Sequence, residues 1–99
     1  MFPIKNYIQA IEELCRELRV KRLDLVGSAS REDFDPQRSD MDFLVEFDGL
    51  DRLFYRYFTL KAELEKKLGR SVDIIQKNAL KNPYVKETLE RDRVRIYGT

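Results

Sequence analysis

The chain has 99 residues, 42% of them hydrophobic and 37% charged, with a formal net charge of +1. That length fits one domain spanning residues 1–99 with a modest core and a densely charged surface. Near-cancelling charges argue against bulk electrostatic capture of nucleic acid. Cys15 is the only cysteine and histidine is absent. Ser-His, Cys-His and His-based metal chemistry are therefore excluded, and a metal would need carboxylate ligands, which favour Mg²⁺, Mn²⁺ or Ca²⁺. No apolar run is long enough to span a membrane and no signal segment opens the chain, so a cytoplasmic location is the default expectation.

In chain order, Ile4, Tyr7, Ile8, Ile11, Leu14, Cys15 and Leu18 recur at three- and four-residue spacing and predict a first helix after Pro3. Arg22 to Val26 reads as a short strand running into Gly27-Ser28. Residues 29–39 are polar and read as a loop. Asp40 to Phe47 alternates, with Met41, Phe43, Val45 and Phe47 on one side and Asp40, Asp42, Leu44 and Glu46 on the other. Asp48-Gly49 marks a turn, and Asp51 is expected to cap a second helix running to about Leu68, with Leu53, Tyr57, Leu60, Leu64 and Leu68 as its core stripe. Gly69 is a natural stop. Ser71 to Gln76 is the next strand, Asn82-Pro83 opens a short helix to about Arg91, and Arg93 to Tyr97 is a last strand. The order is α-β-β-α-β-α-β, an α+β fold with a small mixed, antiparallel-containing sheet of about four strands packed with three helices.

Asp40 and Asp42 share a strand face, with Cβ atoms about 6–7 Å apart by strand rise. Such a pair repels unless a cation joins it. Asp73 stands alone in an apolar strand, Val72 to Ile75, and meets the pair if the two strands are neighbours. Three acids can hold two Mg²⁺ ions roughly 3.5–4 Å apart, the spacing used in phosphoryl chemistry. Acids at strand ends are also often simply solvated, and that reading stays open for Asp40 and Asp42 taken alone. A calcium loop through Asp33, Asp35 and Gln37 fails, because Arg38 replaces the required glycine and Leu44 the closing glutamate. Gly27-Ser28 after an apolar strand lets backbone N–H groups approach phosphate closely.

The stretch VGSASREDFDPQRSDMDFLVEF, with Asp73 in SVDIIQ, resembles the signature of the minimal nucleotidyltransferases of the DNA polymerase beta superfamily. The likeness covers about residues 4 to 97. It implies that Asp40, Asp42 and Asp73 are the catalytic, metal-binding acids, with Asp73 also helping to deprotonate the attacking hydroxyl. Gly27 and Ser28 would hold the triphosphate. Arg31 would contact phosphate or pin the turn, and Ser39 would cap it. The pattern departs from the family at Ser30 and Glu32, where alanine and glycine are common. The resemblance further implies Mg²⁺ (or Mn²⁺) and ATP as substrate; many such members are antitoxins that adenylylate a HEPN-type toxin, the partner expected here, while others modify RNA ends, antibiotics or proteins. A non-catalytic binding subunit of the same fold is the alternative. Finally, Phe54 and Phe58 widen the second helix's apolar stripe beyond what a small sheet needs, and Tyr55 lies almost opposite. Either the loops at Asp48 to Asp51 and Ala29 to Ser39 fold over these rings, or Phe54, Tyr55 and Phe58 form an aromatic patch for a protein partner or a second copy.

Overall fold

A computed structural model describes residues 3–27, 41–79, 81–91 and 93–98. After a 3₁₀ turn at Ile4–Tyr7, the elements are α1 (Ile8–Glu17), β1 (Val20–Val26), β2 (Met41–Phe47), α2 (Leu53–Leu68), β3 (Val72–Gln76), a second 3₁₀ turn (Lys77–Ala79), α3 (Pro83–Arg91) and β4 (Val94–Tyr97). The four strands form one mixed sheet in the order β3-β2-β1-β4. β1 pairs antiparallel with β2 and β4, whereas β2 and β3 are parallel. A parallel neighbour needs a crossover, and α2 supplies it. No helix among the described residues is long and apolar enough to cross a membrane.

Alternation along the strands decides which face is packed. Leu23 and Leu25 from β1, Met41, Phe43 and Val45 from β2, and Val72 and Ile74 from β3 point into one core. Ile11, Leu14 and Cys15 from α1 and Leu60, Leu64 and Leu68 from α2 fill it from the helical side. Burial, with the Glu12 carboxylate second, pushes the Cys15 thiol up to about 12. The opposite face carries Asp24, Asp42, Leu44, Glu46, Asp73 and Ile75.

Helix ends follow local chemistry in two places and not in a third. Gly69 closes α2 at φ +68, where a side chain would be strained. The Asn82 side chain accepts the Tyr84 N–H at 2.9 Å across Pro83 and caps α3. The expected Asp51 cap is not made: α2 begins at Leu53, its N-cap is Arg52 in the left-handed region, and no side chain caps it. The Asp51 carboxylate pairs with Arg19 instead. With Arg52 at the N-cap position, Asp51 stands one residue too early to cap the helix.

The core stripe of α2 also contains a residue that periodicity does not flag. Arg56 is 4% exposed. Its Nε donates to Leu18 O at 2.8 Å. Its Nη1 donates to the carbonyls of Gly49 and Asp51, and its Nη2 to those of Arg19 and Asp48. The guanidinium lies over the Phe47 ring, 4.9 Å from its centroid. A buried charge is tolerated only when its donors are met, and here five carbonyls meet them.

Candidate active site

The site lies where β1 ends and β2 and β3 begin. Val26 pairs with Asp42, and Asp42 pairs with Asp73 across the parallel ladder. Residues paired in register project from the same face, so both carboxylates leave the sheet on the side away from α1 and α2. Each sits between core residues. Met41 and Phe43 flank Asp42; Val72 and Ile74 flank Asp73. Packing thus holds both backbones while the carboxylates stay at the surface, with Asp42 half-buried and Asp73 exposed.

Gly27 completes this corner. Its φ of +71 lies in the region that side chains rarely adopt, and a Cβ built there would come within 2.7 Å of Asp42 Oδ2. The glycine therefore serves two needs at once: the turn out of β1 and the space beside the carboxylate. A hydrogen atom at this position lets the backbone approach the carboxylate where a side chain would collide with it.

Two further acids on this face, Asp24 and Glu46, are paired with cations. Asp24, two residues before Val26, is 3% exposed and pairs with Arg95, with Arg93 Nη1 at 4.0 Å from its other oxygen. Glu46 meets Lys21 at 3.4 Å and Lys77 at 3.9 Å. Asp24 thus ties β4 to β1 and is no free ligand; its role depends on a residue 71 positions away and has no local signature. Asp73 has no such cation among the described residues.

Asp40, Ser28, Arg31 and Ser39 lie outside the described residues. No group of three or more potential ligands converges among the described residues, and Asp40 is not one of them. The part of the site that is described fits a hard divalent cation: its donors are carboxylate oxygens, two of them in register, beside a backbone corner that a single methyl group would fill.

Of the aromatic residues singled out in α2, Phe54 is 78%, Tyr55 54% and Phe58 53% exposed. Phe54 and Phe58 line an open groove of about 540 Å³ between α2 and the end of β3. Tyr55 does not line it and lies under the Arg52 guanidinium, 4.3 Å from the ring centroid.

The nucleotidyltransferase domain family profile matches residues 8–96. A Methanocaldococcus jannaschii protein provisionally named a protein adenylyltransferase is 36% identical over 95 residues, 94% of each chain. Another from the same organism, provisionally named likewise, is 33% identical over 94 residues, again 94% of each. A solved structure, provisionally described as a minimal nucleotidyltransferase, superposes with a TM-score of 0.78 at 30% identity, covering 92% of this chain and 90% of that one. A chain from the complex of tri-AMPylated Shewanella oneidensis HEPN toxin with MNT antitoxin shares the fold, with a TM-score of 0.67 at 20% identity over 96% of this chain and 72% of that one.

Proposed function

This chain belongs to the nucleotidyltransferase domain family, and from that premise we propose that it is a cytoplasmic protein adenylyltransferase, moving AMP from ATP to a hydroxyl of a HEPN-type toxin and acting as its antitoxin. The observation that carries this reading is the in-register pair Asp42 and Asp73 beside Gly27. The names of the M. jannaschii relatives support a protein acceptor, and the toxin–antitoxin fold neighbour supports the kind of partner.

In the reaction, the acceptor oxygen forms a bond to the α-phosphorus of ATP. The bond from that phosphorus to the bridging oxygen breaks, and pyrophosphate leaves. Asp42 and Asp73, with Asp40, would hold Mg²⁺, which when bound supplies charge neutralisation at the phosphoryl oxygens. Asp73 is exposed and takes the proton of the acceptor hydroxyl on a carboxylate oxygen. Gly27 and Ser28 present the turn to the triphosphate, with Arg31 and Ser39 flanking it. Core packing behind Asp42 and Asp73 limits how far either can move, so positioning is established before substrate arrives.

The test is incubation with α-labelled ATP, MgCl₂ and the protein encoded next to this gene. Label should move to that protein with the wild-type chain and not with Asp42→Asn. A stable complex that forms without label transfer would replace this reading with the non-catalytic binding subunit.

A further inference from the structure

We infer that the groove between α2 and the end of β3 is the docking site for an apolar segment of the acceptor protein, an assignment that rests on the transfer reading above. Leu53, Phe54, Tyr57 and Phe58 form one wall, and Ile74, Ile75, Gln76 and Ala79 the other. Its described lining residues are apolar or neutral, a surface suited to apolar side chains rather than to a triphosphate.

The groove is already ordered. Tyr57 Oη donates to Ile74 O at 3.1 Å, which fixes that ring against the sheet. Phe58 meets Tyr57 edge-on and Phe54 at a tilt, with both centroid separations 5.2 Å. Rings held this way lose little freedom when a partner covers them. Of the two loops expected to cover them, residues 29–39 lie outside the described residues, and residues 48–51 are held elsewhere. On a helix of 3.6 residues per turn, Arg56 and Phe54 lie about 160° apart, on opposite flanks of the core stripe. Arg56 binds the carbonyls of Asp48, Gly49 and Asp51 on its own flank. The loop is thereby kept off the aromatic flank.

Area and position together select the occupant. Taking 150–250 Å² for a whole aromatic side chain, the exposed parts of the two groove rings, Phe54 and Phe58, come to roughly 260 Å². That is only about a third of the ~800 Å² each partner contributes to a stable interface. A second copy docking here would have to find the rest on surface that nothing among the described residues prepares for it. The acceptor finds it at once, because transfer already requires contact with the carboxylate end. The two surfaces are continuous: Ile75 follows Asp73 by two residues on the same strand face, about 7 Å along the strand. An acceptor whose hydroxyl reaches Asp73 therefore carries neighbouring side chains over the groove.

The experiment uses Phe54→Ala/Phe58→Ala, both exposed positions whose loss leaves the core intact, and the protein labelled by the wild-type chain. The expected result is a KM for that protein raised at least tenfold, with kcat at saturation and ATP affinity unchanged. Calorimetric affinity for the same protein, measured in the transfer-dead Asp42→Asn background, should fall by the same factor. Label transfer with KM within twofold of wild type overturns the docking assignment and leaves the transferase reading standing. A complex that needs the two rings but never labels the partner does the reverse. A self-dimer that the double substitution dissociates, with KM unchanged, assigns the groove to a second copy and overturns the proposal. Absence of both binding and labelling overturns both readings.

Discussion

The two ends of the sheet handle charge in opposite ways. At the end where β2 and β3 begin, Asp42 and Asp73 stand side by side next to the Gly27 corner. At the other end, where Val20 faces Phe47, a single buried guanidinium collects the carbonyls of two connections, Leu18 and Arg19 from one and Asp48, Gly49 and Asp51 from the other. Arg19 O also accepts the Asp48 N–H at 2.9 Å. Charge met by neutral dipoles inside the fold stabilises it. Like charges set beside each other destabilise it slightly and gain their use from a ligand. The difference separates residues that hold the structure from residues that act.

The sharpest way to break the contrast is Asp42→Asn. Transfer should fall about a thousandfold or more in a radiolabel assay, since several kcal/mol of charge stabilisation leave with the carboxylate. The unfolding midpoint should stay level or rise, because repulsion with Asp73 falls. Arg56→Met is the mirror experiment. It leaves carbonyls unpaired and should cost roughly 3–5 kcal/mol in urea unfolding, with nucleotide binding per folded molecule unchanged. Gly27→Val touches both properties. Backbone strain costs about 1–3 kcal/mol, and displacement of the Asp42 carboxylate should lower transfer about a hundredfold, the scale expected for misplacement by an ångström.

Smaller effects come from pH. The Cys15 thiol is raised by burial from 9.0 to about 12, so it favours the fold fully below pH 9 and loses that contribution as pH climbs towards 12. Ellman's reagent at pH 8 should find no reactive thiol until the chain is unfolded; prompt reaction would mean that α1 is not packed as described. The smallest effect belongs to Asp51. Its hydrogen bond from Arg19 holds the carboxyl below its usual 3.8. The pair contributes above that value and is lost as pH falls through the depressed one. Being exposed, it should be screened out at moderate salt, and Asp51→Ala should melt with the wild type there.

Much of this architecture is legible in the residues. Alternation from Met41 to Phe47 gives the face assignment of β2, Gly69 stops α2, and Asn82-Pro83 starts α3, because each signal is local. Arg56 is illegible for the opposite reason. A polar residue between Leu53 and Leu60 reads as solvent-facing, and its burial depends on carbonyls brought from positions 18 and 19, nearly forty residues away. Asp24 fails likewise, since only the β1–β4 pairing brings Arg95 to it. Asp51 shows how a one-residue shift of the helix start, set by Arg52 in the left-handed region, removes a cap that local preference offers. Within the candidate site, the placement of Asp42 and Asp73 follows once β2 and β3 are neighbours, while Ser28, Arg31, Ser39 and Asp40 fall outside the described residues.

β3 is an outer strand, and its free side is not left bare. Glu65 accepts the Val72 N–H at 3.0 Å, Lys61 donates to the Val72 carbonyl and Tyr57 to that of Ile74. Side chains of α2 thus stand in for a fifth strand over the stretch beside Asp73. An extended chain approaching from that side meets amines, carboxylates and phenols already bonded in its place, so lateral growth of the sheet is blocked without a proline or a bulge. A molecule that engages the stretch of this flank beside Asp73 therefore finds the Val72 and Ile74 backbone groups taken and must come by its side chains.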